Sequence, residues 1–141
     1  RQMCIRDRFK KMENAVLFAA GSCWEGVDFP GDMVSSLIIV KLPFAVPDPI
    51  HEAQREQYRS LESYIQNVVV PDMQKKLRQG FGRAIRTEQD TCVVSILDHR
   101  AAKKGKYRGD VLDALPKCQM AEKIDEVEDF IRSRKVERYY S

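Results

Sequence analysis

Three short apolar runs stand out along the chain, at residues 15–20, 37–42 and 92–97. They read A-V-L-F-A-A, L-I-I-V-K-L and C-V-V-S-I-L, which are nearly continuous in apolar residues and do not alternate with polar ones. Continuous runs of this length are typical of strands that are covered on both faces of a parallel sheet. The pattern therefore predicts three β-strands.

Between and after these runs, apolar residues recur at helical spacing. The two sets are Tyr58, Leu61, Ile65 and Val68, and then Ile124, Val127 and Ile131. Strands that alternate with helices predict an α/β fold with a mostly parallel sheet. Three strands are few for such a sheet, and the first begins close to the start of the chain. We therefore expect the sheet to be truncated at its N-terminal side.

The composition indicates one soluble domain. The chain has 141 residues, 43% of them hydrophobic and 32% charged, with a net charge of +3. No apolar run approaches the ~20 residues that a membrane span needs, and no signal peptide opens the chain. Four cysteines occur without a C-x-x-C pair, and His51 and His99 have no partners at metal-ligand spacing. We expect a cytoplasmic protein with reduced thiols, no metal site and no membrane partner.

Residues 1–8 need separate treatment. They read R-Q-M-C-I-R-D-R, which resembles a translated transposon-type sequencing-library adapter. A genuine basic terminus is the alternative. We interpret residues 1–8 as an assembly artefact and residues 9–141 as the domain, so that Cys4 has no biological role and the chain is a fragment.

Polar segments follow each predicted strand. Residues 21–32, G-S-C-W-E-G-V-D-F-P-G-D, follow the first run, a loop with prolines at 43, 47 and 49 follows the second, and D-H-R at 98–100 ends the third. Ligands of parallel α/β sheets bind beyond the carboxyl ends of the strands. We therefore expect these polar groups to converge at one edge of the sheet.

A basic segment lies at residues 75–86, which contain five cations and no acid. If the segment is helical, Gln79, Arg83 and Arg86 share one face, and the small Gly82 lets another surface approach it. Two guanidinium groups placed in this way can converge on one phosphate, because arginine binds phosphate oxygens bidentately. The alternative is a solvated basic face. The acidic stretch at 121–130 is interpreted as a solvated helix face.

Together these segments resemble motifs V and VI of superfamily 2 helicases, in the DinG and XPD-like branch. Residues 21–32 match motif V, and Q-G-F-G-R-A-I-R at 79–86 matches motif VI. The runs I-I-V-K-L-P-F-A-V-P-D-P-I and V-V-S-I-L-D-H-R fit the same branch in order and spacing, so the resemblance covers roughly residues 9–134. It implies a RecA-like three-layer fold and the second, C-terminal motor lobe of an ATP-dependent DNA helicase.

The resemblance also implies roles for single residues. Arg86 would be the arginine finger that reaches the γ-phosphate of ATP on the partner lobe, with Arg83 beside it and Gln79 positioning the nucleotide. On the nucleotide side of the interlobe site it places Asp28, Gly26, Glu25 and Gly82, and against DNA it places Ser22, Trp24 and Arg100. Two alternatives stay open: Trp24 packs within its own domain, and Arg100 pairs with Asp98 as scaffolding.

One departure from a complete motor is clear. No G-x-x-x-x-G-K-[ST] loop occurs, since Gly105-Lys106 is followed by Tyr107. ATP and Mg²⁺ are therefore expected to be held mainly by the missing N-terminal lobe, and an iron-sulfur cluster is possible only in that region. We predict that the chain alone is inactive and acts with that lobe on single-stranded DNA. The alternative function is a non-catalytic nucleic-acid-binding module that uses residues 75–86 and the cations Lys103, Lys104, Lys106 and Arg108.

Overall fold

The computed structural model describes residues 2–12, 15–20, 29 and 33–137. Its regular elements are α1 (Gln2–Lys11), β1 (Ser36–Ile39), α2 (Pro49–Glu56), α3 (Leu61–Tyr64), α4 (Val70–Ala84), β2 (Val93–Ile96), α5 (Arg108–Ala114) and α6 (Ile124–Arg134). A π-helical segment, Ile65–Val69, joins α3 to α4, and a 3₁₀ turn, His99–Ala101, follows β2.

The two strands form a parallel sheet. The Val93 N–H donates to the Ser35 carbonyl oxygen at 3.0 Å, and the Leu97 N–H donates to that of Ile39 at 2.9 Å. The partner advances by four residues in the same direction on both strands, which only a parallel ladder allows. Helices α2 to α4 lie between the strands in sequence and supply the crossover that a parallel pair requires. The α/β class and the strands predicted at 37–42 and 92–97 are therefore confirmed, although both strands are shorter than predicted.

The strand predicted at residues 15–20 is not formed. The segment is neither helix nor strand, and the side chains of Val16 and Phe18 are 79% and 94% exposed. An apolar run becomes a strand only where a neighbouring strand supplies ladder hydrogen bonds. Within the part of the chain that the structure describes, no strand pairs with this segment, so the prediction of a strand at residues 15–20 was wrong.

The helix predicted from residue 58 begins later, at Leu61, because Ser60 caps it. The Ser60 hydroxyl oxygen accepts a hydrogen bond from the Ser63 N–H at 3.1 Å. The widened π-helical segment ends at Val69, two residues before Pro71, and the Val70 N–H donates to the Ile65 carbonyl oxygen. A proline inside an ordinary helix lacks an N–H and clashes with the carbonyl four residues back. We attribute the π-helical turn to this constraint, since it lets the helix continue through Pro71 into α4.

The chain divides into two compact units. The first unit comprises Arg1–Ile38, Gln79–Ser95 and Cys118–Ser141, and the second unit comprises Ile39–Arg78 and Ile96–Lys117. The buried face of α4 repeats at helical spacing through Val70, Met73, Leu77, Gly80 and Ala84. In the second unit, Met73 and Leu77 are fully buried. In the first unit, α6 forms at the periodicity predicted for it and has no buried residue, which confirms the solvated acidic helix.

We expect Leu77→Ala to lower the free energy of unfolding by about 2–5 kcal/mol, because it opens a cavity at a fully buried position. Urea denaturation followed by circular dichroism measures this change. The neighbouring Arg78→Ala, at an exposed position of the same helix, should stay within about 0.5 kcal/mol of the parent. Equal losses in the two variants would contradict this assignment of the core.

Candidate functional site

The C-terminal end of α4 carries three of the residues predicted to act on a nucleotide. Gln79 and Arg83 are four residues apart and lie on one face of the helix, with Gly82 beside them. Arg86 lies beyond the end of the helix at Ala84, so its placement on the same helical face was wrong. The side chains of Gln79 and Arg86 are exposed, and that of Arg83 is half-buried.

A carboxylate missed by the sequence analysis holds the backbone at Arg86, just beyond the end of α4. Asp90 Oδ2 accepts hydrogen bonds from the backbone N–H groups of Arg86 and Thr87, each at 2.9 Å. These N–H groups therefore bond to a side chain and not to helical carbonyls. The bond from Arg86, then that from Thr87 and finally the charge of Lys135, hold the pKa of Asp90 below its ordinary value. The signal in the sequence was an aspartate at the end of the turn T-E-Q-D.

Arg83 has a hydrogen-bond donor that none of the described residues satisfies. Its Nε is buried, and no hydrogen-bond partner for it exists among the residues that the structure describes. Beside it, a Cβ added at Gly82 would meet no atom within 4 Å. A buried guanidinium nitrogen without a partner is costly unless a ligand or another part of the protein completes its hydrogen bonding. The arrangement is suited to an anion with oxygen acceptors, such as a phosphate.

A second cluster, in the second unit, is built on Asp98, whose residue is only 7% exposed. Asp98 Oδ2 accepts from Arg100 Nη2 at 2.7 Å and from the Leu42 N–H at 2.9 Å, and Oδ1 accepts from Arg100 Nε at 3.0 Å. The Arg100 guanidinium also lies 4.7 Å from the centre of the Phe44 ring. Of the two alternatives for Arg100, the structure therefore contains the pair with Asp98, and a DNA contact by Arg100 stays a prediction.

The ion pair shifts both titrations. Hydrogen bonds from the Arg100 side chain, followed by those from the Leu42 and Arg100 N–H groups, hold the pKa of Asp98 well below its usual range, although burial acts in the opposite direction. The same pair raises the pKa of Arg100. Asp98 is thus ionised throughout the neutral range and keeps both partners in place.

The remaining predicted site residues are Ser22, Trp24, Glu25, Gly26 and Asp28, and all of them lie outside the described residues. Among the described residues, no group of three His, Cys, Asp or Glu side chains could hold a metal ion. Cys92 and Cys118 are not disulfide-bonded. None of the helices in the described ranges is long and apolar enough to cross a membrane.

The class of protein follows from comparison with known families. Residues 2–118 match the helicase C-terminal domain family, and the chain belongs to this family. The match includes both the end of α4 with its arginines and the Asp98 cluster.

Individual relatives narrow the class to its DinG-like members. The chain is 39% identical over 130 residues to the 3′-5′ exonuclease DinG of Bacillus subtilis, across 90% of the chain. It is 41% identical over 113 residues to the ATP-dependent DNA helicase DinG of Photobacterium profundum, and 40% identical over 114 residues to the ATP-dependent DNA helicase YoaA of Escherichia coli, in each case across 79% of the chain. The resemblance to the DinG branch is therefore confirmed. The chain spans only 14%, 16% and 18% of the length of these relatives.

We expect Asp90→Ala to speed amide hydrogen exchange at Arg86 and Thr87 at least about fivefold, because each N–H loses a hydrogen bond to a carboxylate. Exchange followed by NMR reports these two amides directly. Glu88→Ala removes an exposed acid from the same turn and should leave them unchanged. Equal acceleration in both variants would show that charge, and not the Asp90 hydrogen bonds, holds the turn.

Acid should weaken the fold through Asp98. Because its folded-state pKa is depressed, its contribution to the free energy of unfolding is fully present above the ordinary carboxyl value of about 4 and is lost as the pH falls below it. The gap in this free energy between the parent and Asp98→Asn should therefore be constant near neutral pH and narrow in acid. Asp113→Asn, at an exposed acid, is the control. A gap that does not change with pH would contradict the role of the ion pair.

Proposed function

We propose that this chain is the second motor lobe of an ATP-dependent DNA helicase, with a RecA-like three-layer fold over residues 9–141. One observation carries the proposal. A helix in a helicase C-terminal domain ends in a half-buried Arg83, whose Nε has no hydrogen-bond partner among the described residues, and Arg86 follows in a turn that Asp90 holds. Two of the relatives are named ATP-dependent DNA helicases, which supports the same reaction here.

The physical role proposed for Arg86 is to stabilise charge as it develops on the transferring phosphoryl group. A preorganised arginine at this position contributes about 10³–10⁵ in rate in phosphoryl-transfer enzymes. The Asp90 hydrogen bonds hold the Arg86 backbone before any nucleotide arrives. Arg83 supplies a second guanidinium, and Gln79, one turn earlier on the same face, positions the nucleotide.

The residues of this chain fit the phosphate side of such a site. Arg83, Arg86 and Gln79 are donors that suit phosphate oxygens, whereas the described residues include no acidic cluster for Mg²⁺. We therefore assign the phosphate loop and the metal ligands to an N-terminal lobe. The loop with Glu25, Gly26 and Asp28 would approach the same nucleotide from this lobe.

Coupling to DNA follows from closure of the two lobes. Nucleotide binding favours a closed state in which Arg86 reaches the γ-phosphate, and hydrolysis removes that contact. Single-stranded DNA, contacted by Ser22 and Trp24, would advance with each cycle of closure and opening.

The test is Arg86→Ala in the full-length protein. We expect kcat for ATP hydrolysis to fall by about 10³ or more with little change in nucleotide affinity, because the interaction acts in the transition state. Arg78→Ala, at an exposed arginine of α4, should retain activity, and the isolated chain should show no hydrolysis with or without DNA.

Two outcomes would overturn the proposal. Turnover by a clean preparation of the isolated chain would show that it holds a complete site. If Arg86→Ala left hydrolysis intact and weakened only DNA binding, the chain would act as a non-catalytic nucleic-acid-binding module.

A further inference from the structure

We propose that residues 102–108, called the basic loop, bind the phosphate backbone of single-stranded DNA independently of the arginines at the end of α4. The proposal deepens the proposed function and rests on it, since it assumes that DNA crosses this lobe.

The basic loop concentrates charge. Residues 99–109 read H-R-A-A-K-K-G-K-Y-R-G, with five Lys or Arg and no acid, in a chain with a net charge of only +3. Arg100 forms an ion pair with Asp98. The basic loop itself carries four cations, namely Lys103, Lys104 and Lys106, whose residues are exposed, and the half-buried Arg108. A cluster of this density attracts a polyanion and releases its counterions.

The backbone of the basic loop has a defined shape. The Gly105 N–H donates to the Ala102 carbonyl oxygen at 2.7 Å, and the Tyr107 N–H donates to that of Arg100 at 2.9 Å. A Cβ at residue 105 would collide with the Arg100 carbonyl group, so only glycine fits there. The lysines on either side of Gly105 are therefore presented by a preformed turn.

Aromatic packing anchors the same loop. The centre of the Tyr107 ring lies 4.9 Å from that of the Phe44 ring. The Arg100 guanidinium, which Asp98 binds, lies 4.7 Å from the centre of the same Phe44 ring. The base of the loop is thus tied to the ion pair. A cationic surface that is ordered before binding loses less conformational entropy when a ligand arrives.

The position and chemistry of the basic loop favour binding of nucleic acid without sequence specificity. The basic loop follows the carboxyl end of β2, at the side of a parallel sheet where ligands bind. Its aromatic residue, Tyr107, is half-buried against Phe44. Lys106 Nζ lies 5.3 Å from the centre of the Tyr107 ring. The loop therefore offers charge to phosphates and no exposed ring for stacking on bases.

The experiment measures binding of a fluorescein-labelled oligothymidylate to the 141-residue chain by anisotropy over a range of salt concentrations. If Lys104 and Lys106 each neutralise one phosphate, Lys104→Ala/Lys106→Ala should weaken binding about 20-fold at about 0.1 M salt and reduce the salt slope by about 1.4. Lys104→Arg/Lys106→Arg should retain affinity to within about twofold, since charge is preserved.

The matched control is Arg55→Ala/Arg59→Ala, which removes two cations from exposed positions of the same unit. We expect its affinity to stay within about twofold of the parent. Equal weakening by the two double variants would mean that diffuse charge binds the DNA and would overturn the proposal. Absence of binding by the unaltered chain at low salt would overturn it as well.

Gly105→Ala tests the shape of the basic loop at constant charge. We expect weaker binding with an unchanged far-ultraviolet circular dichroism spectrum, and parental affinity in the folded variant would contradict a preformed site. If the lysine variant weakened binding to phosphatidylserine vesicles and not to the oligonucleotide, the loop would be a membrane contact and the proposal would be wrong.

The result is separable from that of the Arg86 test. DNA binding by the isolated chain requires no hydrolysis, so a loss of affinity in the lysine variant supports the basic loop even if Arg86→Ala leaves turnover intact. Conversely, loss of turnover in Arg86→Ala supports the motor even if the lysine variant binds DNA normally.

Discussion

The buried carboxylate of Asp98 organises the loops that follow the two strands of the sheet. It accepts hydrogen bonds from the Leu42 N–H, after β1, and from the Arg100 side chain, after β2. A carboxylate this deeply buried is stable only when its charge is compensated, and the loss of either partner would leave an uncompensated charge. Arg100 in turn packs on Phe44, and its carbonyl oxygen accepts a hydrogen bond from the Tyr107 N–H. The same ion pair therefore also positions the turn around Gly105.

A second carboxylate, that of Asp90, holds the backbone that follows the end of α4. Asp90 is exposed to a greater extent than Asp98, and it bonds backbone N–H groups in place of a guanidinium. Its two hydrogen bonds hold the turn that follows the end of α4 at Ala84. In the first unit, Gly80 and Ala84 are buried on either side of Arg83, so packing of this end of α4 supports Arg83. In the proposed motor, such a support lets a guanidinium meet the phosphate without reorganisation.

Periodicity and motif spacing predicted the α/β class, two of the strands, α6 and the helical position of Gln79 and Arg83. They failed at residues 15–20, because an apolar run carries no information about whether a neighbouring strand is present to pair with it. They failed again at Arg86, because a side chain four residues further along competes for its N–H. For Arg100 the sequence left a DNA contact and an ion pair equally open.

The sequence by itself determined the family of this chain, and the match to the helicase C-terminal domain family over residues 2–118 confirms it. It also determined where cations are dense and where glycine occurs. Only the tertiary structure decided which charged side chains form buried ion pairs and which are exposed to solvent. The reason is physical: the pairing of Asp98 with Leu42 joins residues 56 positions apart, and Gly105 is required because the Arg100 carbonyl occupies the space of a Cβ. Such contacts follow from packing and not from any local pattern.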